Sequence, residues 1–386
     1  MTNATAAEAR KTSKVKQPAS FWLPRMFDGC TLGTWVWQLA RCRFRLSGRN
    51  YFFFVFTIFM HSAHSVLGLM QKLVYSGRIS RTVLRQPPIF IIGHWRTGTT
   101  LLHEMLILDP RHSFPNSCQC FLPTHFLLSE KIMTNYLPFL LPKKRPMDNM
   151  SAGWQRPQED EFGMCMLGQP SPYWTIAYPR TGLAYPEYMS LDKVPPKAVA
   201  RWKDTFLHFL KSITYRDGRR LVLKSPPHTC RIKVLKEMFP EAVFIHIVRN
   251  PYVVYPSTVN LWKTLYTHQG NQTPTFKGLE EYVFETFTNL YDRLEKTRDL
   301  LDDSHFCEIR YEDLVDDPIG QMRSLYEQLN LGDFEELLPR LEKYLSGVAN
   351  YETNRYELSA EEREVVKRRW GHIIEKYGYS DEQCPS

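Results

Sequence analysis

Residues Pro88–Leu108, PIFIIGHWRTGTTLLHEMLIL, constrain the chain more than any other segment. Ile89–Ile92 is a run of β-branched and aromatic residues with the length of a buried strand, and Leu101, Leu102, Met105 and Leu108 return at helical spacing. Between them Gly93-His94-Trp95-Arg96-Thr97-Gly98 forms a glycine-bounded turn. A strand that enters a helix through such a turn leaves the first helical N–H groups without intrahelical partners, at the positive end of the helix dipole, and so makes an anion site. The spacing is GxxxxG followed by two hydroxyls, a P-loop pattern in which Thr99 stands where a nucleotide triphosphatase carries its lysine. Arg96, inside the loop, supplies positive charge from another side.

Beyond Lys197 short apolar runs alternate with helical stretches. Strands are expected at Leu221–Leu223, Val243–Val248 and His305–Tyr311, and helices from Lys197 to Ile213 and over Ile232–Phe239, Val253–Tyr266, Leu279–Leu301 and Ile319–Leu329. That order predicts a parallel sheet covered by helices on both faces. Arg249 falls at the carboxyl end of one strand, with Ser257 eight residues later in the next helix, and Lys224 falls at the end of another. Ligands of open α/β sheets gather at those ends, so Arg249 and Ser257 are placed to share one phosphate.

The rest of the chain sets limits. A length of 386 residues, 43% hydrophobic, allows one large domain or two, and a net charge of +8 suits an anionic ligand or a membrane surface but is too diffuse to argue for nucleic acid. The eight cysteines form no CxxC pair or regular framework, so free thiols in a reducing, cytoplasmic setting are expected. No metal-ligand spacing is present, so no metal is assigned. Residues 1–20 are polar and basic and read as a disordered tail; residues 21–87 read as a helical region. Within the latter, Tyr51–Met70 approaches the ~20 residues of a bilayer span, is flanked by arginines, and carries His61, Ser62, His64 and Ser65 in its second half. A core or dimer-interface helix, a membrane-surface helix and a true span are all compatible with it. Residues 115–196 are rich in proline and aromatics, with one acidic cluster, Glu159-Asp160-Glu161, and read as a substrate-side cap of short helices. Residues 332–386 read as a carboxyl-terminal helical region.

Four ordered elements, GHWRTGTT, LKSPPH, RNPYVVYPST and RYEDL, together resemble the bacterial-type branch of the sulfotransferases that use 3′-phosphoadenosine 5′-phosphosulfate (PAPS). The resemblance covers roughly Pro88–Leu331. It implies a P-loop-type three-layer α/β fold, with a central parallel sheet flanked by helices and a helical, loop-rich substrate cap. It also implies transfer of a sulfuryl group from PAPS, as co-substrate, to a hydroxyl or amine, without a metal. Carried over onto this chain, Arg96, Thr97, Gly98, Thr99 and Thr100 would hold the 5′-phosphosulfate, Arg249 and Ser257 the 3′-phosphate, and Tyr311 would lie by the adenine. Lys224 would face the departing oxygen. Lys367, Arg368 or Arg369 would stand near the 3′-phosphate, although the glycine-rich phosphate loop of the cytosolic branch is missing.

The general base is left among His228, Glu161 and Glu159, with His125 and His94 behind them, and Asp160 is expected to pair with an arginine. The aromatic and aliphatic residues between Phe114 and Tyr188 suggest an apolar, amphipathic or lipid-like acceptor. Two other readings are weighed: a P-loop kinase or nucleotide phosphohydrolase, and a non-enzymatic membrane-associated protein on the same fold. A homodimer and a membrane-surface contact through 51–70 are the partners considered.

Overall fold

A computed structural model describes residues 25–141, 152–348 and 356–380. The tail expected over 1–20 lies outside the described residues. The chain starts with α1 (Leu32–Arg41), the short α2 (Gly48–Phe52) and the long α3 (Phe54–Arg81). Then come β1 (Ile89–Ile92), α4 (Thr99–Leu106) and a two-residue β2 (His112–Ser113). The cap follows as α5 (Ser117–Phe121), α6 (Phe126–Tyr136), α7 (Asp160–Met166) and α8 (Trp174–Ala177). Next are α9 (Pro196–Arg216), β3 (Arg220–Lys224), α10 (Ile232–Met238), β4 (Val243–Val248), α11 (Pro251–Gln269) and α12 (Leu279–Thr297). The last elements are β5 (Phe306–Arg310), α13 (Tyr311–Asp316), α14 (Pro318–Gln328), α15 (Leu338–Val348) and α16 (Ala360–Lys376).

The strands form one five-stranded sheet in the order β2-β3-β1-β4-β5, and every pairing is parallel. Its two faces are written in the strand sequences with a period of two. Ile89, Ile91, Val243, Ile245 and Ile247 point into a core closed by α4, α14 and α15. Phe90, Ile92, Phe244 and Val248 point into a larger core closed by α9, α11, α12 and α16. Both faces are therefore buried, which is why the strands read as unbroken apolar runs. This is the three-layer α/β architecture expected. The edge strand β2 is not expected from the sequence, since two residues carry no periodicity.

Helix α3 begins at Phe54 and runs 28 residues to Arg81, beyond the stretch expected, and only His61, Gln71 and Ile79 are buried in it. It is not a core helix. Its inner side is tied to the protein along its length: His61 Nδ1 bonds the Cys30 carbonyl at 2.8 Å, Gln71 Oε1 accepts from Leu127 N at 2.8 Å, and the Ser80 carbonyl accepts from Lys211 Nζ at 3.0 Å.

Candidate functional site

The loop between β1 and α4 depends on two glycines. Gly93 has φ +144°, and a Cβ there would sit 2.7 Å from the Ile247 carbonyl; Gly98 has φ +102°, and its Cβ would sit 2.3 Å from the Tyr311 ring. The tight turn and the close approach of Tyr311 both require the missing side chain. Arg96 also takes a left-handed φ of 71°, a conformation costly for a non-glycine residue and concentrated at functional sites. Thr97 closes the loop on itself, its hydroxyl donating to the His94 carbonyl at 2.8 Å. Thr99 and Thr100 open α4. The His94 ring, wholly buried, is pushed down to about 3 by burial, partly offset by its bond to the Trp95 carbonyl, and is a neutral packing group.

The strand ends bring the second element to this loop. Arg96 Nε donates to Ser257 Oγ at 2.9 Å, Arg249 Nη1 donates to the Arg96 carbonyl at 3.1 Å, and the Arg249 guanidinium lies 4.0 Å from the centre of the Tyr311 ring. Ser257 follows Pro256 inside α11, where a proline removes one helical hydrogen bond. Residues from β1, β4, α11 and α13 thus meet around the amino end of α4. Two guanidinium groups, a hydroxyl, an aromatic face and a helix N-terminus make a site for an aromatic ligand with two anionic ends.

The third element lies one strand away. Lys224, at the end of β3, is 3% exposed and its Nζ sits 2.6 Å from Glu159 Oε1. Glu159 Oε2 accepts from the Tyr173 hydroxyl, which itself accepts from Trp95 Nε1 at 3.1 Å. A continuous chain Trp95–Tyr173–Glu159–Lys224 therefore connects the loop to the end of β3. Burial, then the Glu159 charge, pushes the Tyr173 hydroxyl well up, so it stays a proton donor to the carboxylate.

The three adjacent acids diverge. Asp160 Oδ2 bonds His228 Nε2 at 2.6 Å and Asp160 Oδ1 accepts from Ser225 at 3.0 Å, and both members of the Asp160–His228 pair are fully buried. Burial alone would raise the Asp160 carboxyl, but His228 and Ser225 hold it below its ordinary value. Glu161 Oε2 bonds Arg231 Nη1 at 2.5 Å, again with both side chains fully buried. The arginine partner expected for Asp160 belongs instead to Glu161, because successive residues on the first turn of α7 point about 100° apart. His228 Nδ1 is buried without a hydrogen-bond partner, with the Phe90 and Phe206 rings against it. Arg369 is paired with Glu281 at 2.5 Å. Trp95, Tyr173 and Arg231 are not marked out by the sequence. Their contacts join residues 14 to 78 positions apart, and no local pattern points to them.

A largely apolar cavity of about 570 Å³ lies on the cap side, lined among others by Phe53, Phe56, Met60, Trp154, Gln158 and Leu265. It reaches Gln158, the neighbour of Glu159, and the end of α11, the helix that carries Ser257. His125 is remote from the loop: it bonds His64 on α3 and Ser129 on α6, each at 2.8 Å.

Comparison with known proteins bears on this arrangement. A model of the sulfotransferase family matches residues 87–336. The chain is 49% identical over 358 residues, covering 93% of its length and 92% of theirs, to the omega-hydroxy-beta-dihydromenaquinone-9 sulfotransferases Stf3 of Mycobacterium bovis and Mycobacterium tuberculosis. Among solved structures, sulfotransferase STF9 of Mycobacterium avium superposes with a TM-score of 0.61 at 19% identity, covering 81% of this chain and 82% of that one. STF1 of Mycobacterium tuberculosis does so with 0.58 at 17%, covering 88% and 91%. At those identities the structures speak for the fold alone. The sequence relatives and the family match speak for the chemistry, and they set aside the kinase and non-enzymatic readings. The chain belongs to the sulfotransferase family, and it transfers the sulfuryl group of PAPS to an acceptor.

Proposed function

We propose that Glu159 takes the acceptor proton, and that the acceptor is the hydroxyl of a lipid-like alcohol of the kind the mycobacterial relatives sulfate, a hydroxylated menaquinone. One observation carries the first half. Glu159 is the member of the acidic cluster connected to both the donor loop and Lys224, and its side chain keeps 12% exposure, whereas those of Asp160 and Glu161 are at 0% inside closed pairs. In this reading His228 and Asp160 position the start of α7, and Glu161 with Arg231 anchors it.

The donor site follows the cluster at the end of the sheet. Arg96, Thr99, Thr100 and the N–H groups of α4 take the 5′-phosphosulfate, Arg249 and Ser257 the 3′-phosphate, and Tyr311 the adenine; Thr97 and Gly98 give the loop its shape. In the transfer the acceptor oxygen forms a bond to sulfur and the bond from sulfur to the bridging phosphate oxygen breaks. The hydroxyl proton passes to Glu159, and adenosine 3′,5′-bisphosphate leaves. Lys224 offsets the charge that grows on the departing oxygen.

The second half rests on the apolar cavity beside Gln158 and on the 49% identity to the menaquinone-modifying relatives. The seven described cysteines are buried thiols, consistent with work on the cytoplasmic side. The test is direct. The purified protein with ³⁵S-labelled PAPS and an ω-hydroxylated menaquinone is expected to give a labelled lipid on chromatography. Label transferred only to polar sugars or phenols would overturn the acceptor reading.

A further inference from the structure

Helix α3 carries its apolar row on the side away from the protein. Its inner side is bonded to α6, α9 and the segment before α1, while Phe52, just before it, and Val55, Phe59, Val66, Leu69 and Leu73 recur at helical spacing on the outside. Val55 is 78% and Leu73 76% exposed, so this is not a loosely packed core face but a surface with nothing over it among the described residues. The exposed rings of Tyr136, at the end of α6, and Phe139, just after it, extend the same apolar character beside the cavity. A row of this length and size is uncommon on a protein surface that faces only water.

The charge around it is one-sided. No aspartate or glutamate occurs between Asp28 and Glu104, while Arg43 and Arg45 stand exposed ahead of the helix and Lys72, Arg78 and Arg81 stand exposed in its second half. Next to its start, Arg41, Arg43, Arg45 and Arg180 line a recess of about 690 Å³ together with Ser47, Tyr51 and Thr273. That recess rests on a constrained turn. Arg43 and Phe44 both have left-handed φ values, 51° and 56°, and the turn is pinned by Tyr51, whose hydroxyl donates to the Phe44 carbonyl at 2.7 Å, and by Gln272, whose Nε2 donates to the Arg45 carbonyl at 2.7 Å.

We propose that the outer face of α3 seats on an anionic bilayer surface, with lipid phosphates in the arginine recess. An apolar row with cations at both ends matches an interface of acyl chains and phosphates. A second copy of this chain is a poor fit, since a two-fold contact through α3 would bring one basic surface against another. A surface seat fits better than a span, because polar bonds to the segment before α1, to α6 and to α9 hold the inner side of the helix along its length against the rest of the protein. The surface also supplies an entrance. Phe56 is 62% exposed on the outer side and also lines the cavity, and about 570 Å³ holds on the order of twenty heavy atoms. The long isoprenoid tail of a menaquinone exceeds that, so its reactive end enters the cavity while the rest stays in the bilayer. This entry route, unlike the membrane seat itself, rests on the lipid acceptor proposed above.

The experiment is co-sedimentation of the purified full chain with vesicles of phosphatidylcholine, with and without phosphatidylglycerol, at rising salt. Binding is expected on the anionic vesicles, weakening with salt. It should fall at least tenfold in V55E/F59E/L73E and in R43E/R45E, with binding of adenosine 3′,5′-bisphosphate unchanged as the control for folding. No vesicle binding by a protein that still binds the bisphosphate overturns the proposal. So does a wild-type dimer in sedimentation velocity that V55E/F59E/L73E dissociates, and equal binding to both vesicle types overturns the phosphate recess. For the entry route, the triple variant should lose turnover of vesicle-embedded hydroxymenaquinone and keep it for the same lipid dispersed in detergent. Equal loss in both removes the route, and absence of turnover by the wild type in both removes the acceptor reading while leaving the vesicle result intact.

Discussion

At the end of the sheet proposed to hold the donor, Arg96, Arg249, Ser257 and Tyr311 come from short segments at or after the ends of parallel strands, and they meet through directed contacts of 2.9 to 4.0 Å. The cavity proposed for the acceptor is assembled differently, from the amino-terminal segment, α3, α4, the cap and the end of α11, with mostly apolar surface. A doubly anionic nucleotide needs fixed charges and N–H groups at set distances, which a strand end supplies locally. An apolar acceptor needs volume and exclusion of water, which residues from anywhere in the chain can supply. The donor half is therefore expected to fail sharply on single substitutions, and the acceptor half gradually.

The largest effect should fall where the two halves meet. Glu159→Gln preserves shape and one acceptor oxygen but removes the proposed base, and turnover should fall by about 10²–10⁴-fold with bisphosphate affinity unchanged. Turnover retained in that variant would return the role to His228, and the pH–rate profile of His228→Asn would then decide. One step smaller is Arg249→Ala. Removing one member of a charge-assisted contact to a phosphate should weaken adenosine 3′,5′-bisphosphate by ~100-fold in calorimetry, since such losses run to about 2–5 kcal/mol. Unchanged affinity would separate Arg249 from the 3′-phosphate.

The same contrast governs what the sequence reveals. The donor loop, Arg249 with Ser257, and Tyr311 each sit within a local pattern of apolar run, glycine or turn and polar end, so the order of these patterns along the chain is enough to bring them to one sheet end. The acidic cluster is not resolved in this way. Glu159, Asp160 and Glu161 are neighbours in the chain, yet they turn to Lys224, His228 and Arg231, and only the packing of α7 against β3 and the segment after it separates them. Tyr173 and Trp95, which tie Glu159 to the loop, carry no signal, because each contact depends on where the cap lands. Helix α3 shows the limit of periodicity. Its outer row, Val55, Phe59, Val66, Leu69 and Leu73, is apolar at helical spacing while its inner side seats His61 and Gln71, so the apolar row does not mark the side that faces the protein.

On the acceptor side, Met60→Trp adds bulk to the cavity wall from α3. It should raise the KM for a lipid acceptor about tenfold, in the range of about 1–3 kcal/mol that hydrophobic pockets discriminate, and leave donor binding alone. A fall in kcat with no change in KM would mean that the acceptor does not occupy this cavity.

The smallest and most gradual effect concerns the joint that holds α3 to the cap. His64 and His125 stack with ring centres 5.0 Å apart, and His64 Nδ1 meets His125 Nε2 at 2.8 Å, so one ring must donate and the other accept. Burial, and for His64 also the neighbouring His125, brings both down to about 4 from an ordinary 6.5. In the unfolded chain each takes up its proton near 6.5, so between 6.5 and 4 the unfolded state binds more protons and stability falls as pH falls. Above 6.5 the contribution is complete; two protonated rings would face each other N–H to N–H. At about 1.4 kcal/mol per pKa unit, each ring accounts for at most about 3–4 kcal/mol across that window. His64→Gln keeps a hydrogen-bonding partner for His125 and removes one titration. Its melting temperature should therefore decline less steeply than that of the wild type between pH 6.5 and 4, with the two curves parallel above 6.5. Parallel curves throughout would mean that this joint does not carry the acid sensitivity.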